Sequence, residues 1–209
     1  MNRGSGSSNV RGIRLSTRIN KIVSLIRPGH TVFDMCCDHG LIGFGALSKV
    51  KEVVFVDQSA KALAPLNEHL KSLDRADLER IKVFVSAGEL VSIAGYESSD
   101  FVIAGVGVTT VASIIASLFP EGLSHHRLIL SPQQDSQPLR WYLNDRGFGL
   151  VDEYVVKERG RFREILVVEA QGSRIADTFM SERDELCREF KAWLLECRTF
   201  IAQKKLEKT

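Results

Sequence analysis

The segment Thr31-Val-Phe-Asp-Met-Cys-Cys-Asp-His-Gly40, followed by Val53-Val-Phe-Val-Asp57, constrains the fold more than any other feature of this chain. An apolar run carries a carboxylate near its end, breaks into a small-residue turn with a second carboxylate, and continues into helix-like sequence. About 20 residues later a second apolar run ends in another acid. This is the pattern of a β-α-β unit whose first loop holds a ligand and whose second strand offers an acid to ribose hydroxyls. A dinucleotide loop needs glycines at alternate positions so that pyrophosphate can reach a helix N-terminus. Here those positions are Cys36, Asp38 and Gly40, and Asp38 would repel a pyrophosphate. A sulfonium cofactor carrying an amino group suits that carboxylate, so the spacing of Asp34, Asp38 and Asp57 points to S-adenosylmethionine.

The same alternation continues along the chain. Strand patterns fall at 31–35, 52–56, 81–85, 100–104, 126–131, 149–157 and 164–170, with helical stretches at 40–49, 60–73, 109–118 and 138–146. The order predicts an α/β fold with a mostly parallel sheet covered on both faces. Only Glu158-Arg-Gly-Arg-Phe-Arg163 separates the last two strands, which predicts an antiparallel hairpin. Seven strands ending in such a hairpin is the Rossmann-like class I methyltransferase arrangement. Ile13, Ile19, Ile22, Val23 and Ile26 recur at helical spacing before Pro28-Gly29, so an amphipathic helix is expected there, its Arg/Lys face away from the core. The expected organisation is a flexible tail over 1–11, a Rossmann-like domain over 12–172 and a helical extension over 173–209. Within that extension, Leu186, Phe190, Trp193, Leu194, Cys197, Phe200 and Ile201 line one stripe from about 176 to 205. A helix of about 30 residues would reach some 45 Å, packed back on the domain or forming half of a helical hairpin or dimer seam.

With 209 residues, 44% of them hydrophobic and 26% charged, the chain has the make-up of a soluble globular protein with a full core. No apolar run approaches the roughly 20 residues that span a bilayer, and the Gly/Ser-rich N-terminus lacks the apolar core of a secretory signal. A cytoplasmic location without membrane association is expected. Adjacent Cys36 and Cys37 are poor disulfide partners, and Cys187 and Cys197 would lie about 15 Å apart on one helix. Cys36-Cys37-Asp38-His39 offers ligand-type side chains, but consecutive residues cannot converge on one ion, and no metal is expected. The formal net charge of +2 says little. Its distribution says more: Arg3, Arg11, Arg14, Arg18, Lys21 and Arg27 fall in the first 30 residues with no acid among them, a plausible phosphate footprint.

Candidate site residues follow from these placements. Asp34 would cap the first loop, which Cys36 and Gly40 shape, while Asp57 and the adjacent Gln58 would meet the ribose. Ala87, Gly88 and Glu89, after the third strand, fall where methyltransferases of this shape contact the adenine ring. Gly105 and Gly107, after the fourth strand, would floor the pocket at the topological switch point. Asp38 and His39 face the methyl donor and are the candidates for chemistry. Arg14, Arg18 and Lys21, with Arg140 beside Trp141, are the candidates for RNA binding, and Lys157–Arg163 forms a basic hairpin tip. Plainer readings stand beside these: Asp38 as a helix N-cap, His39 as a packing residue, 87–89 as a simple turn. His30, His125 and His126 read as surface turns.

As an ordered set, these pieces resemble the TrmK family of bacterial tRNA (adenine-N1)-methyltransferases, which modify the adenine at position 22. The resemblance runs from about Arg14 to Gly172 and rests on Leu15-Ser-Thr-Arg18, Asp38-His39 four residues after Asp34, Ile103-Ala-Gly105, Leu128 to Pro132, Leu139-Arg-Trp-Tyr-Leu143 and Glu164-Ile-Leu166. It implies S-adenosylmethionine as cofactor, tRNA as partner, and methylation of N1 of an adenine. The family's proposed catalytic aspartate, in a Ser-Asp-His motif, falls on Asp38. The chain departs from the family where Cys36 replaces a loop glycine, Cys37 the serine and Val108 the last glycine of a Gly-Met-Gly-Gly turn. Ser86-Ala-Gly88 replaces Gly-Asp-Gly, and Pro132-Gln133 replaces Pro-Asn. The family's coiled-coil-like C-terminal extension is shortened here, and the expected assembly is a monomer or a homodimer through that helix. Two other functions fit the same residues: a methyltransferase with a non-RNA acceptor, and a diverged RNA-binding homologue without activity.

Overall fold

Five parallel strands, β1 (Thr31–Met35), β2 (Glu52–Asp57), β3 (Ile81–Val85), β4 (Ser99–Ala104) and β5 (Arg127–Ser131), are joined by a hairpin of β6 (Gly149–Glu158) and β7 (Arg161–Glu169). The sheet order is β3-β2-β1-β4-β5-β7-β6, with β7 antiparallel to β5. The helices are α1 (Thr17–Leu25), α2 (Leu41–Ala46), α3 (Ala64–Leu70), α4 (Arg75–Leu78), α5 (Val108–Leu118), α6 (Gln137–Asp145) and α7 (Glu185–Leu206). This computed structural model describes residues 13–206; the tail expected over 1–11, with Arg3 and Arg11, lies outside them. Among the described residues, no helix is long and apolar enough to cross a membrane.

The central strands read as unbroken apolar runs because both of their faces are covered. Phe33, Met35, Val54, Val56, Phe101 and Ile103 meet Ile114, Ile115 and Leu139 on one side. Val32, Val53, Phe55, Val102 and Ile129 meet Ile22, Phe44 and Leu66 on the other. The helix expected over 60–73 is shorter, α3 alone, with Pro65 in its first turn; the Asp74 carboxylate then accepts from the Asp77 N–H to open a separate short helix, α4. Hairpin residues Arg159 (φ 50°) and Gly160 (φ 74°) both adopt left-handed backbone, the tight turn that matches strand twist. That turn lets β7 begin at Arg161, earlier than expected.

Beyond Gly172 the chain returns at once to the domain. Gly149 and Gly172 pass backbone to backbone, and a Cβ on Gly149 would lie 2.2 Å from the Gly172 nitrogen. Leu150 and Ser173 pair through their backbones at 2.8 and 3.0 Å, Ile175 enters the main core, and Phe179 is buried beneath α7. The expected helix over 176–205 is therefore corrected: it spans 22 residues and begins only at Glu185. The Cys187 N–H donates to the Asp184 carboxylate at 2.9 Å, which fixes that start. Cys187, Phe190 and Leu194 pack on Val155 and Phe179, so α7 lies against the domain. Leu195 and Phe200 face outward.

Gly40, between β1 and α2, is constrained both in conformation and in space. Its φ is +69°, and a Cβ there would stand 2.7 Å from Leu66 Cδ1 and 2.9 Å from Phe55 Cε1. Gly40→Ala is expected to lower stability by about 2 kcal/mol, half from left-handed strain and half from overpacking. The check is a lower urea midpoint with an unchanged slope.

Candidate active site

The loop after β1 keeps the backbone of a glycine-rich turn with different side chains. Cys36 (φ 55°), Asp38 (φ 49°) and Gly40 (φ 69°) are all left-handed. Only glycine adopts that region without strain, and an aspartate tolerates it better than a cysteine. The loop hangs from β2. The Cys37 N–H donates to the Val56 carbonyl at 3.1 Å, and the Asp38 N–H donates to Asp57 Oδ2 at 3.1 Å. Asp57 Oδ1 accepts from the Ser59 N–H at 2.9 Å. Each of these oxygens keeps a second lone pair for a hydroxyl. Gln58, the next residue, is exposed.

Asp34 lies beneath the loop, not in it. It is 2% exposed, and its Oδ2 accepts from the Gly43 N–H at 2.9 Å. So buried, Asp34 holds the loop against α2. Burial, only partly offset by that hydrogen bond and reinforced by Asp57, pushes its carboxyl up to about 7. The Cys36 thiol sits among acids. Burial, then Asp57, Glu89 and Asp34, push it up to about 11, so it stays protonated. Burial and the same two aspartates also raise Cys37. The cradle is electronegative, a fit for a cationic ligand and a misfit for pyrophosphate.

Asp38 presents its carboxylate on the open side, with Oδ2 2.7 Å from His39 Nδ1; the two side chains are 59% and 52% exposed. Across the sheet edge, Gly105 (φ +79°) donates its N–H to the Ser131 carbonyl at 3.0 Å and accepts from the Gln133 amide. Gly107 starts α5 with ordinary extended backbone. Of the residues after β3, Ala87 and Glu89 are half-exposed. Gly88 is buried, and a Cβ there would meet Ile114 at 2.9 Å and Met35 at 3.1 Å, so packing explains that glycine.

The basic residues are redistributed by tertiary contacts. Arg140, read from sequence as an exposed RNA contact, is 0% exposed. Its Nη2 donates to Glu153 at 2.6 Å and also to Glu164, its Nε to Ser136 Oγ at 3.1 Å, and its Nη1 to the Ala176 carbonyl at 3.1 Å. Burial works against the guanidinium charge, yet Glu164 and Glu153 outweigh it and hold the group above its ordinary value. The RNA-binding assignment of Arg140 is therefore withdrawn. The readable signal was on the partners: Glu153 occupies an inward position of an alternating strand, and Glu164 opens an apolar run.

The expectation that the Arg/Lys face of α1 points away from the core also needs correction, because the β6–β7 hairpin covers that face. Lys21 Nζ lies 3.4 Å from the Tyr154 ring centroid. Arg27 is spent on the buried Asp100, through its backbone N–H at 2.6 Å and its Nε at 2.7 Å. Arg18 turns toward the site: its guanidinium nitrogens lie 3.8 and 4.0 Å from where a Gly105 Cβ would stand, and its Nε is 3.9 Å from Glu158 Oε2. No sequence spacing signals that approach. His126, expected in a surface turn, is buried against Phe101 and Phe119, and its Nδ1 accepts from the Ser99 N–H at 3.2 Å.

Comparisons with known proteins follow the same lines. The family described as "Methyltransferase domain" matches residues 15–166. The chain is 26% identical over 169 residues to the tRNA (adenine(22)-N(1))-methyltransferase of Bacillus subtilis (strain 168). The match covers 76% of this chain and 66% of that enzyme, just under two thirds of its length. The crystal structure of the B. subtilis m1A22 tRNA methyltransferase TrmK superposes with a TM-score of 0.72 at 21% identity, covering 91% of this chain and 87% of that one. Streptococcus pneumoniae Sp1610 in complex with S-adenosyl-L-methionine superposes with a TM-score of 0.75 at 24% identity, covering 89% of each chain. At these identities the two superpositions show the fold.

Proposed function

The chain belongs to the methyltransferase domain family, and from that premise we propose that it moves a methyl group from S-adenosylmethionine to N1 of an adenine in tRNA, in the cytoplasm. The likeness to the B. subtilis adenine-22 enzyme supports the acceptor, and the cofactor bound to Sp1610 supports the donor. The observation that carries the reading is the acidic cradle: Cys36 held left-handed among Asp57, Glu89 and Asp34, with Asp38 open beside it. These residues fit a ligand bearing a sulfonium and an ammonium. Asp57 would take the ribose hydroxyls, Glu89 and Ala87 the adenine side, and the Cys36–Gly40 loop the amino-acid end.

When bound, the cofactor supplies an electrophilic methyl group. The ring N1 of adenine has an in-plane lone pair, so no residue has to deprotonate it first. Methylation leaves the ring cationic, and the Asp38 carboxylate is suited to stabilise that developing charge. Asp38 can also accept from the exocyclic amine and so fix the pairing edge in line with the donor. His39, with Nδ1 2.7 Å from Asp38 Oδ2, is placed to hold the carboxylate's orientation. N1 lies on the Watson–Crick edge, so the base must leave the tRNA stack, at a cost of a few kcal/mol.

Purified protein incubated with labelled cofactor and unmodified tRNA, followed by nucleoside analysis, should yield 1-methyladenosine; tRNA left unlabelled would overturn the reading. Asp38→Asn is the sharper variant, because asparagine tolerates the left-handed backbone that alanine would strain. Its turnover should fall roughly 100-fold while the thermal shift on adding cofactor persists. Unchanged turnover removes Asp38 from the chemistry.

A further inference from the structure

The N-terminal segment and the β6–β7 hairpin enclose a cavity of about 860 Å³ that the methyl-transfer site does not account for. Six cations line it: Arg14, Arg18, Lys157, Arg159, Arg161 and Arg163, against one acid, Glu158. Like charges gathered in a concave site raise each other's free energy and concentrate ligands of opposite charge. Lys157 is engaged by Glu189 of α7. Among the described residues, Arg14, Arg159 and Arg161 have no carboxylate partner, and Arg163 bonds only to backbone carbonyls. The Arg18–Glu158 pair is itself incomplete. At 3.9 Å it is too long for a hydrogen bond, and Arg18 Nε and Glu158 Oε1 are both buried with no hydrogen-bond partner. A buried donor and a buried acceptor thus wait in the wall of a strongly positive cavity.

The cavity also adjoins the site already described. Leu41, the residue after Gly40, forms part of its wall, and the Arg18 guanidinium reaches from it to the turn after β4. We propose that this cavity seats the sugar-phosphate backbone of the RNA acceptor next to the nucleotide whose base is turned out for methylation, an inference that rests on the proposed function. Phosphate oxygens satisfy the arginines, and a phosphate oxygen with a ribose hydroxyl satisfies the donor on Arg18 and the acceptor on Glu158. The hairpin tip is thereby the clamp on the strand, and Arg18 links clamp to reaction centre.

The test pairs two variants of equal charge loss. Arg159→Asn/Arg161→Gln keeps the turn's left-handed preference and removes two cavity charges. Lys51→Gln/Arg75→Gln removes two charges from the β2–β3 end of the sheet, opposite the hairpin, one just before β2 and one at the start of α4. The hairpin variant should bind tRNA about tenfold more weakly at physiological salt, with the slope of log affinity against log salt shallower by about two. The control should stay within about twofold of wild type, and cofactor-induced thermal shifts should match in all three. A hairpin variant that binds tRNA with wild-type affinity and slope, while wild type binds and methylates it, overturns the seat alone. Wild-type protein that neither binds nor methylates tRNA overturns the functional reading and the seat with it.

Discussion

Arg140→Met is expected to destabilise the protein by about 3–5 kcal/mol, because it strands two carboxylates in the interior. Arg140 is the cation that Glu153 and Glu164 share. Removing it leaves Glu164 with the Ser136 hydroxyl at 2.5 Å, and Glu153 with the Met180 and Ser181 N–H groups at 2.6 Å. None of these carries a charge. For a domain of this size the loss should lower Tm by roughly 10 °C. Adding Glu153→Gln and Glu164→Gln to the same chain should recover part of it, since the uncompensated charges go. A loss below about 1 kcal/mol would mean that the cluster is not the buried network described. Below its melting point, Arg140→Met should bind tRNA with the wild-type salt slope, which separates a structural arginine from a phosphate contact.

Stability should also fall as pH rises from about 4 to about 7, with Asp34 as the cause. Its carboxyl ionises near 7 in the folded protein against an ordinary 3.8. Between those values the unfolded chain has already lost the proton that the native state keeps. The native state binds more protons there, so stability declines with pH by about 1.4 kcal/mol per unit and levels off above 7. The full interval amounts to about 4 kcal/mol. Asp34→Asn has no proton to lose and can still accept from the Gly43 N–H, so its stability against pH should lack this decline. Urea midpoints at pH 5 and pH 8 decide it: an equal decline in wild type and variant would clear Asp34 of responsibility.

Much of the fold was legible because its signals are local or short-range. The seven strands were placed to within a few residues, since buried parallel strands must be apolar throughout and turns punctuate them. The first loop was legible for a related reason: residues 36, 38 and 40 could be recognised as the glycine positions by spacing, and all three are left-handed. The expected helix from about 176 starts too early, since its apolar stripe begins only at Leu186 and α7 at Glu185. Ile175 and Phe179 are buried in non-helical chain, and the Asp184 cap sets the true start.

The charges were the least legible. In sequence, Arg14, Arg18, Lys21, Arg27 and Arg140 form one class of exposed-looking cations. In the structure Arg27 is paired to Asp100, Lys21 stacks on Tyr154, Arg140 is the hub of a buried cluster, and Arg18 reaches Gly105. Each partner lies far along the chain, so spacing carries no trace of it.

Periodicity and turn chemistry, which act over a handful of neighbours, were enough to dictate the α/β alternation, the acidic first loop and the acid at the end of β2. Which cations meet solvent and which meet carboxylates was settled only when β6 and β7 folded over α1 and α6. Hydrophobic pattern is written into consecutive residues, whereas the fate of a long charged side chain depends on which distant acid the packed chain brings within reach.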